Sequence, residues 1–376
     1  MSERRTGYVW DERYGWHDTG TYAGAIPAGG WVQPYHHFES PESKQRLAQL
    51  VAASGLEREL AAIDARFATD DEILRVHTEE HLAYLQSQSD ALRGGVCEDG
   101  ISPIGHGSME IARLAAGGVM EAVDAVIEGR VENAYALVRP PGHHATADAG
   151  MGFCMINNIA IAVAHARRVR GIERIAIVDW DVHHGNGTQD IFYEDPLTLT
   201  VSLHQDRCYP PDSGFLTERG RADGAGAALN IPLPPGSGRA AYLDAFERGV
   251  IPAVSAFQPE LIIVASGYDA SILDPLGRQM LTSATYRTMT ARILELAEAH
   301  AGGRVVVVHE GGYSPAYVPF CGLAVLEELA GRSTDVMDPF APFLEAMAGQ
   351  ELTNQQKALV DAVVKTLTNQ PAPAFA

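Results

Sequence analysis

The stretch that decides the fold runs from Ile175 to Gln189 and reads Ile-Ala-Ile-Val-Asp-Trp-Asp-Val-His-His-Gly-Asn-Gly-Thr-Gln. It begins as a short apolar run, which is typical of a strand buried on both faces. It ends in two carboxylates and two imidazoles within six positions, too many for the capping roles that a lone Asp or His usually has. Asp181 and His183 are two residues apart, so in an extended chain both side chains point the same way. The stretch therefore predicts a metal site at the end of a buried strand.

Four more apolar runs are each followed at once by polar residues. They are 135–138 before Arg139 to His144, 199–203 before His204, 261–265 before Ser266 to Asp269, and 305–308 before His309 to Tyr313. Helical patterns lie between most of them, at 41–54, 70–87, 109–128, 158–170, 240–256, 283–300 and 323–330. This alternation predicts βαβ units and a parallel sheet. Since the carboxyl ends of parallel strands share one edge, where ligands bind, we expect the five polar clusters to converge.

Length and composition favour one α/β domain over the 376 residues, with 46% hydrophobic residues to fill its core. We place the core motifs at about 7–330. The segment 351–376 is expected to hold a helix near 354–368 and then a frayed end, Pro-Ala-Pro-Ala-Phe-Ala. No stretch has the length or composition of an interdomain linker.

Charge and cysteine usage exclude several classes of protein. The formal net charge of −20 disfavours nucleic acid and anionic membrane as partners. No apolar run approaches the roughly 18 residues of a membrane helix, and no secretory leader is evident. The four cysteines are scattered, which excludes a zinc ribbon and favours reduced thiols. We therefore expect a cytoplasmic protein.

Taken together in chain order, the motifs resemble those of the histone deacetylase superfamily, most of all its bacterial histone deacetylase-like amidohydrolases related to the class II enzymes. The matching motifs are Arg139-Pro-Pro-Gly-His-His144, Gly152-Phe-Cys154, Asn157-Asn158, Asp179 to Thr188, Ser202-Leu-His204, Gly267-Tyr-Asp269 to Leu276, and Glu310-Gly-Gly-Tyr313. They span about 7–329, and several long motifs in one order are a specific signal. The resemblance implies a single-domain arginase/deacetylase-like three-layer fold with a central, mainly parallel eight-stranded sheet. It also implies a zinc-dependent amidohydrolase that removes acetyl or related acyl groups from the ε-amine of lysine in proteins or peptides.

By the same resemblance, Asp181, His183 and Asp269 bind one Zn²⁺ per chain. Two carboxylates and one imidazole leave positions open, as in catalytic sites, and would also accept Fe²⁺ or Co²⁺. His144 is expected to act as general base and then acid, and Tyr313 to donate to the oxyanion.

Three further family roles concern residues around the His pair. Asp179 is expected to pair with His143, the electrostatic partner of the base. Asn186 stands where class I members have Asp, so the second His faces a neutral amide, which should lower its pKa.

The resemblance also implies structural K⁺. Its first site uses the side chains of Asp179 and Ser202 with backbone oxygens of Asp181, His183 and Leu203. A second site would use backbone oxygens near Phe192, Asp195 and Thr198.

The substrate is expected to enter a narrow tunnel. The family places Phe153 and Tyr209 on its walls beside Gly152, Leu276 at its mouth, and Asp99 on the rim, gripping substrate backbone. Aromatic walls suit the four methylenes of a lysine stem. The expected partner is an acetylated lysine peptide or protein, or a small acetylated amine, and homo-oligomerisation stays open.

Three alternatives remain. Relatives that deacetylate acetylpolyamines need an acidic gate, and Leu276 at that position argues against such a substrate. A two-metal ureohydrolase would need a further Asp where His184 stands. A degenerate member that only binds acyl-lysine is disfavoured by the intact ligand, His and Tyr positions.

Overall fold

The structure is a computed structural model that describes residues 3–369. Its centre is an eight-stranded sheet in which every pairing is parallel. From one edge to the other, the strands are Ala228–Leu233, Thr198–Gln205, Ile175–Asp179, Leu261–Ser266, Val305–His309, Asn133–Ala136, Thr6–Val9 and Ala61–Ala62. The expected α/β class with an eight-stranded parallel sheet is confirmed.

Helices cover both faces of the sheet. Along strand Ile175–Asp179, Ile175 and Ile177 belong to one apolar core and Ala176 and Val178 to the other, as the two-residue period of a strand requires. The α-helices are Glu42–Ala53, Asp70–Ile73, Glu79–Asp90, Ser108–Ile127, Asn158–Arg170, Asn186–Ile191, Arg239–Ala245, Ile251–Phe257, Ser283–His300, Val318–Ala330, Ala341–Leu344 and Asn354–Asn369, with a π-helical turn at Phe246–Val250. Two cores between three layers account for near-continuous apolar strands.

The five anticipated strands are present, and each bound lies within two residues of the expected one. Four of the five polar clusters begin inside their strands and not after them, because Asp179, His204, Ser266 and His309 are themselves strand residues. Three strands of the main sheet were not predicted from the sequence: Thr6–Val9, Ala61–Ala62 and Ala228–Leu233.

One predicted helix, 70–87, is wrong as a single element. The structure has two helices there, Asp70–Ile73 and Glu79–Asp90, each with its own cap. Thr69 accepts from the backbone N–H of Glu72 in a capping box, and Thr78 accepts from that of His81. Two Thr caps nine residues apart define two helix starts, and this signal outweighs the apolar periodicity.

The remaining elements lie away from the main sheet. Residues 21–36 form a three-stranded antiparallel sheet from Thr21–Ala23, Ile26–Pro27 and Tyr35–His36. The expected frayed end at 371–376 lies outside the described residues. Within residues 3–369, no helix is long and apolar enough to cross a membrane.

Strand order identifies where a ligand should bind. Strand Ile175–Asp179 has the next strand of the chain, Thr198–Gln205, on one side and Leu261–Ser266 on the other. The connections therefore diverge between Ile175–Asp179 and Leu261–Ser266, and such a switch point opens a crevice at the carboxyl ends of the strands. Asp181 and Asp269 follow these two strands directly.

Candidate metal centre and active site

Three side chains converge at the switch point. Nδ1 of His183 lies 3.1 Å from Oδ1 of Asp181 and 3.3 Å from Oδ2 of Asp269. All three residues are buried, and their ligand atoms lie within 4.8 Å of one another. Gly267 and Gly311 make room, since a Cβ at either position would come within 2.1 Å of these carboxylates. The backbone therefore approaches the carboxylates at two positions that only glycine tolerates.

The hydrogen-bond pattern of the carboxylates fits a cation. The backbone N–H of Val182 donates to Oδ1 of Asp269, whereas Oδ2 of Asp269 accepts no hydrogen bond from the residues described. Burial raises the pKa of Asp269 to about 6, with the Asp181 charge adding to the effect. A buried carboxylate oxygen without a donor is costly, and a metal ion would satisfy it. Two carboxylates and an imidazole are ligands that Zn²⁺ accepts.

Two adjacent imidazoles flank this cluster and differ in environment. Nδ1 of His143 lies 2.9 Å from Oδ2 of Asp179, and Nδ1 of His144 lies 2.7 Å from Oδ1 of Asn186. Burial alone would lower the pKa of His143, but the Asp181 and Asp179 carboxylates outweigh it and raise the pKa to about 10. Burial, followed by the neighbouring His143 and His183, holds the pKa of His144 well below its usual value. The pair thus combines a charged and a neutral imidazole, as acid–base work requires.

Glu310 fixes the backbone of the His pair, a role that the sequence did not reveal. Its Oε2 accepts from the backbone N–H groups of Gly142 and His143 at 2.7 and 3.1 Å. The motif Glu310-Gly-Gly was visible in the sequence, but nothing in it indicates which loop the carboxylate contacts.

Tyr313 faces the same space from the loop that follows the strand Val305–His309. Its backbone N–H donates to Oδ2 of Asp274 at 2.7 Å, and Nζ of Lys44 lies 5.4 Å from the centre of its ring. Burial raises the pKa of Tyr313 well above its usual value. The phenol therefore stays protonated at neutral pH and can donate a hydrogen bond.

A second unpredicted feature is a buried network of charged groups near Tyr313. The Arg139 guanidinium donates to both oxygens of Glu39, at 2.8 and 3.1 Å, and both side chains are fully buried. Lys44 lies 3.5 Å from the same carboxylate. Burial would raise the pKa of Glu39, but the Arg139 and Lys44 cations lower it to about 2. Partners 100 residues apart in sequence carry no local signal of their pairing.

The predicted tunnel residues line a cavity of about 210 Å³ that ends at the metal cluster. Its walls are Phe153, Tyr209, Leu276, Gly152, His144, His183 and Tyr313, together with Ala25, Ile101 and Cys208. The Tyr209 ring stands edge-on to His144 at 5.0 Å, and the Phe153 ring edge-on to Tyr313 at 5.8 Å. Asp99 is not among the lining residues, and its carboxylate contacts the turn at Gly152.

The residues anticipated around K⁺ fall into two groups. Asp179 and Ser202 line one small gap of about 10 Å³ beside the strand end, where Leu203 follows Ser202. Phe192 and Asp195 lie in one turn, where the N–H of Asp195 donates to the carbonyl of Phe192. Thr198 begins the strand that follows, and its Oγ1 donates to Oδ2 of Asp195 at 2.8 Å. His184 faces away from the metal cluster, with hydrogen bonds to Ser213 and Gln189.

Comparison with known proteins agrees with this geometry. Residues 37–329 match the family model described as the histone deacetylase domain. The chain is 51% identical over 345 residues to the histone deacetylase-like amidohydrolase of Pseudomonas aeruginosa, covering 91% of this chain and 90% of that protein. It is 38% identical over 299 residues to the polyamine deacetylase HDAC10 of Homo sapiens, covering 75% of this chain and 43% of that protein. The crystal structure of the HDA15 HD domain matches at a TM-score of 0.83 and 33% identity, covering 97% of this chain and 94% of that one. Like its relatives, the chain is a hydrolase that acts on amides, and it belongs to the histone deacetylase family.

Proposed function

We propose that this chain removes acetyl groups from the ε-amine of lysine in peptides or proteins, using one zinc ion. One observation carries the proposal: an apolar cavity of about 210 Å³ leads to a point where a three-ligand cluster, a His pair and a phenol meet. A cavity of this kind with a few convergent polar groups is the usual form of a small-substrate site. The parts together match acyl transfer to water.

Asp181, His183 and Asp269 would hold the zinc ion. When bound, zinc acts as a Lewis acid on a carbonyl oxygen and lowers the pKa of water toward about 7. Oδ2 of Asp269 accepts no hydrogen bond from the residues described, and this supports a cation at this point. The N–H groups of Gly311 and Val182 fix the two carboxylates, donating to Asp181 at 2.9 Å and to Asp269 at 2.8 Å.

His144 is the proton acceptor in this proposal. Its lowered pKa keeps it neutral, so it can take a proton from the attacking water and later deliver it to the leaving amine. Nδ1 of His144 is held by the amide oxygen of Asn186, which fixes the tautomer with the proton on Nδ1 and leaves Nε2 as the base. His143, charged beside Asp179, supplies positive charge near the reacting carbonyl.

Tyr313 stabilises the developing oxyanion in this scheme. Its raised pKa keeps the proton on the phenol, which can therefore act as a hydrogen-bond donor in the cavity that it lines. A donor placed where negative charge develops gains strength in a dry, buried site.

The cavity walls support an extended aliphatic stem. Phe153 and Tyr209 offer two aromatic faces, and the four methylenes of lysine can pass between them without losing hydrogen bonds. Leu276, which lines the cavity, carries no negative charge that could bind the distal ammonium group of a polyamine. This favours acetyl-lysine over acetylated polyamines, the substrate class named for the Homo sapiens relative.

We also propose two structural K⁺ sites. The gap between Asp179 and Ser202, next to Leu203, would take the first, with backbone oxygens of Asp181 and His183. The turn at Phe192 and Asp195, together with Thr198 at the start of the next strand, would take the second. Asp179 would then serve both His143 and K⁺.

A substrate panel tests the proposal. Metal-stripped and zinc-restored protein would be given an acetyl-lysine peptide, acetylputrescine and peptides with longer acyl-lysines. We expect turnover only after zinc is restored, with the highest kcat/KM for the acetyl-lysine peptide. A higher kcat/KM for acetylputrescine than for the peptide would contradict acetyl-lysine as the preferred substrate. Turnover by the metal-stripped protein would contradict zinc-dependent hydrolysis.

A pair of Leu variants sharpens the choice of substrate. Leu276→Glu places a carboxylate at the cavity, so its preference should move toward acetylputrescine. Leu273→Glu is the matched control, because Leu273 is partly exposed and does not line the cavity. Equal shifts in both variants would show that general surface charge, and not position 276, sets the preference.

A further inference from the structure

The Phe153 wall of the cavity is presented by a strained turn. Met151 and Cys154 exchange backbone hydrogen bonds of 3.0 and 2.9 Å, which closes a two-residue hairpin. Its central residues, Gly152 and Phe153, have φ of 55° and 68°. Positive φ at both central positions defines a type I′ turn, which normally takes Asn or Gly. A bulky residue is unfavourable there, so other contacts must hold Phe153 in place.

A relay of hydrogen bonds from one loop holds this turn. The N–H of Phe153 donates to Oγ of Ser102 at 2.8 Å, and Oγ of Ser102 donates to Oδ2 of Asp99 at 2.5 Å. The N–H of Gly152 donates to the same Oδ2 at 3.1 Å. Both central N–H groups of the turn therefore end on Asp99, one directly and one through the buried Ser102.

The acceptor capacity of Asp99 is already filled. Its other oxygen, Oδ1, accepts from the N–H groups of Ile101 and Ser102 at 3.0 and 2.9 Å. A carboxylate offers about four lone-pair positions, and Asp99 uses four within the chain. A substrate N–H could bind Asp99 only by displacing one of these donors. This disfavours the grip on substrate backbone that the sequence resemblance implied for Asp99.

The turn in contrast touches the reaction centre. The Phe153 ring packs edge-on between Tyr313 at 5.8 Å and His37 at 4.8 Å. A Cβ on Gly152 would lie 2.4 Å from Cδ2 of His144, so the turn backbone lies directly against the proposed base. Movement of the turn would shift a wall of the cavity and loosen His144 and Tyr313 together.

We propose that Asp99 and Ser102 are positioning residues that hold the Gly152–Phe153 turn against His144 and Tyr313, and that Asp99 does not bind substrate backbone. The inference rests on the proposed function for its catalytic consequence. It deepens that function by assigning substrate-independent control of the site to Asp99 and Ser102, two residues that do not line the cavity.

The test compares two variants on two substrates. Ser102→Ala removes the acceptor for Phe153 and leaves the Asp99 carboxylate in place, and Asp99→Asn removes the carboxylate charge. The substrates are an acetyl-lysine peptide and N-butylacetamide, which has the same four-carbon stem and no peptide backbone. Loss of one such hydrogen bond should lower kcat/KM roughly 3- to 10-fold for both variants, mainly through kcat and equally for both substrates. Asp338→Asn is the matched control, because Asp338 also accepts four hydrogen bonds, two from N–H and two from O–H groups, but lies away from the cavity.

Three results would overturn the proposal. One is a fall in kcat/KM for Asp99→Asn that is confined to the peptide substrate, while Ser102→Ala stays fully active. That result would show that Asp99 binds the substrate backbone. An equal fall in kcat/KM in Asp338→Asn would show that the effect comes from general destabilisation of the protein. Amide hydrogen exchange at Gly152 and Phe153 gives a readout without turnover: it should speed up in Ser102→Ala but not in Asp338→Asn, and unchanged exchange would contradict the relay. If the wild type hydrolyses neither substrate, the proposed function fails while the exchange result still decides the relay.

Discussion

Replacing Asn186 by Asp tests the coupling between the proposed base and its neutral partner. The amide oxygen of Asn186 lies 2.7 Å from Nδ1 of His144, the shortest polar contact of that imidazole. Asn186→Asp places a full negative charge at this distance while keeping the size of the side chain. At an effective dielectric constant near 20, such a contact has a gross Coulomb energy of about 6 kcal/mol. Desolvation of the new carboxylate offsets most of it, and an opposite charge at contact typically shifts a pKa by about 1 to 3 units.

The direction of the expected change in the pH profile follows from the role of His144 as a base. The new carboxylate favours the imidazolium form, so the pKa of His144 rises from its lowered value. Since only the neutral form accepts a proton, the acidic limb of the kcat/KM profile should move upward by about 1 to 3 pH units. Activity at low pH should fall, and activity above the new pKa should persist.

The assay is kcat/KM for the acetyl-lysine peptide over a pH series, with zinc-restored wild type and variant. Asn186→Ala is the control, because it removes the acceptor without adding charge and should not move the acidic limb upward. A folded Asn186→Asp variant with an unchanged acidic limb would refute the reasoning: either His144 is not the group that must be neutral, or its contact with residue 186 does not set its pKa.

The remaining predictions concern the oxyanion donor, the buried ion pair and the metal. Tyr313→Phe should lower kcat about 10²- to 10³-fold with little change in thermal midpoint, and retained full activity would remove Tyr313 from the mechanism. Arg139→Met leaves Glu39 buried with Lys44 as its remaining close cation, so urea unfolding should show a loss of about 3 to 5 kcal/mol. A loss of unfolding free energy below about 1 kcal/mol, the range typical of exposed ion pairs, would contradict a stabilising role for the buried pair. Chelation should abolish hydrolysis and lower the melting temperature, and added Zn²⁺ should reverse both; loss of activity without a thermal shift would argue against metal bound at the buried cluster.

The chemistry of the site was more visible in the sequence than its scaffold. Asp181, His183 and Asp269 could be found because each follows an apolar run, and the edge rule for parallel sheets brings such residues together. The strand Ala61–Ala62 could not be predicted, because a strand of two residues is too short to show a periodic pattern of apolar residues.

The contacts that hold the site depend on tertiary pairing, which periodicity does not encode. Glu310 binds the loop at Gly142, and Asp99 holds the turn at Gly152, across 168 and 53 residues of sequence. Phe153 also breaks a local rule, since a bulky residue occupies a turn position that favours Gly or Asn. Such a conflict between local preference and fold occurs most often at functional sites, and sequence reading alone cannot foresee it.

The proposed zinc cluster has a consequence for folding, because its three residues follow two strands that pair only in the complete sheet. Asp181 and His183 follow Ile175–Asp179, Asp269 follows Leu261–Ser266, and the strand Thr198–Gln205 and its neighbour Ala228–Leu233 form between them in sequence. A nascent chain that has ended before residue 269 has only two of the three ligands. Metal affinity should therefore appear only with the native sheet, so that binding free energy becomes folding free energy. Each tenfold rise in free metal above the dissociation constant would then add about 1.4 kcal/mol to stability.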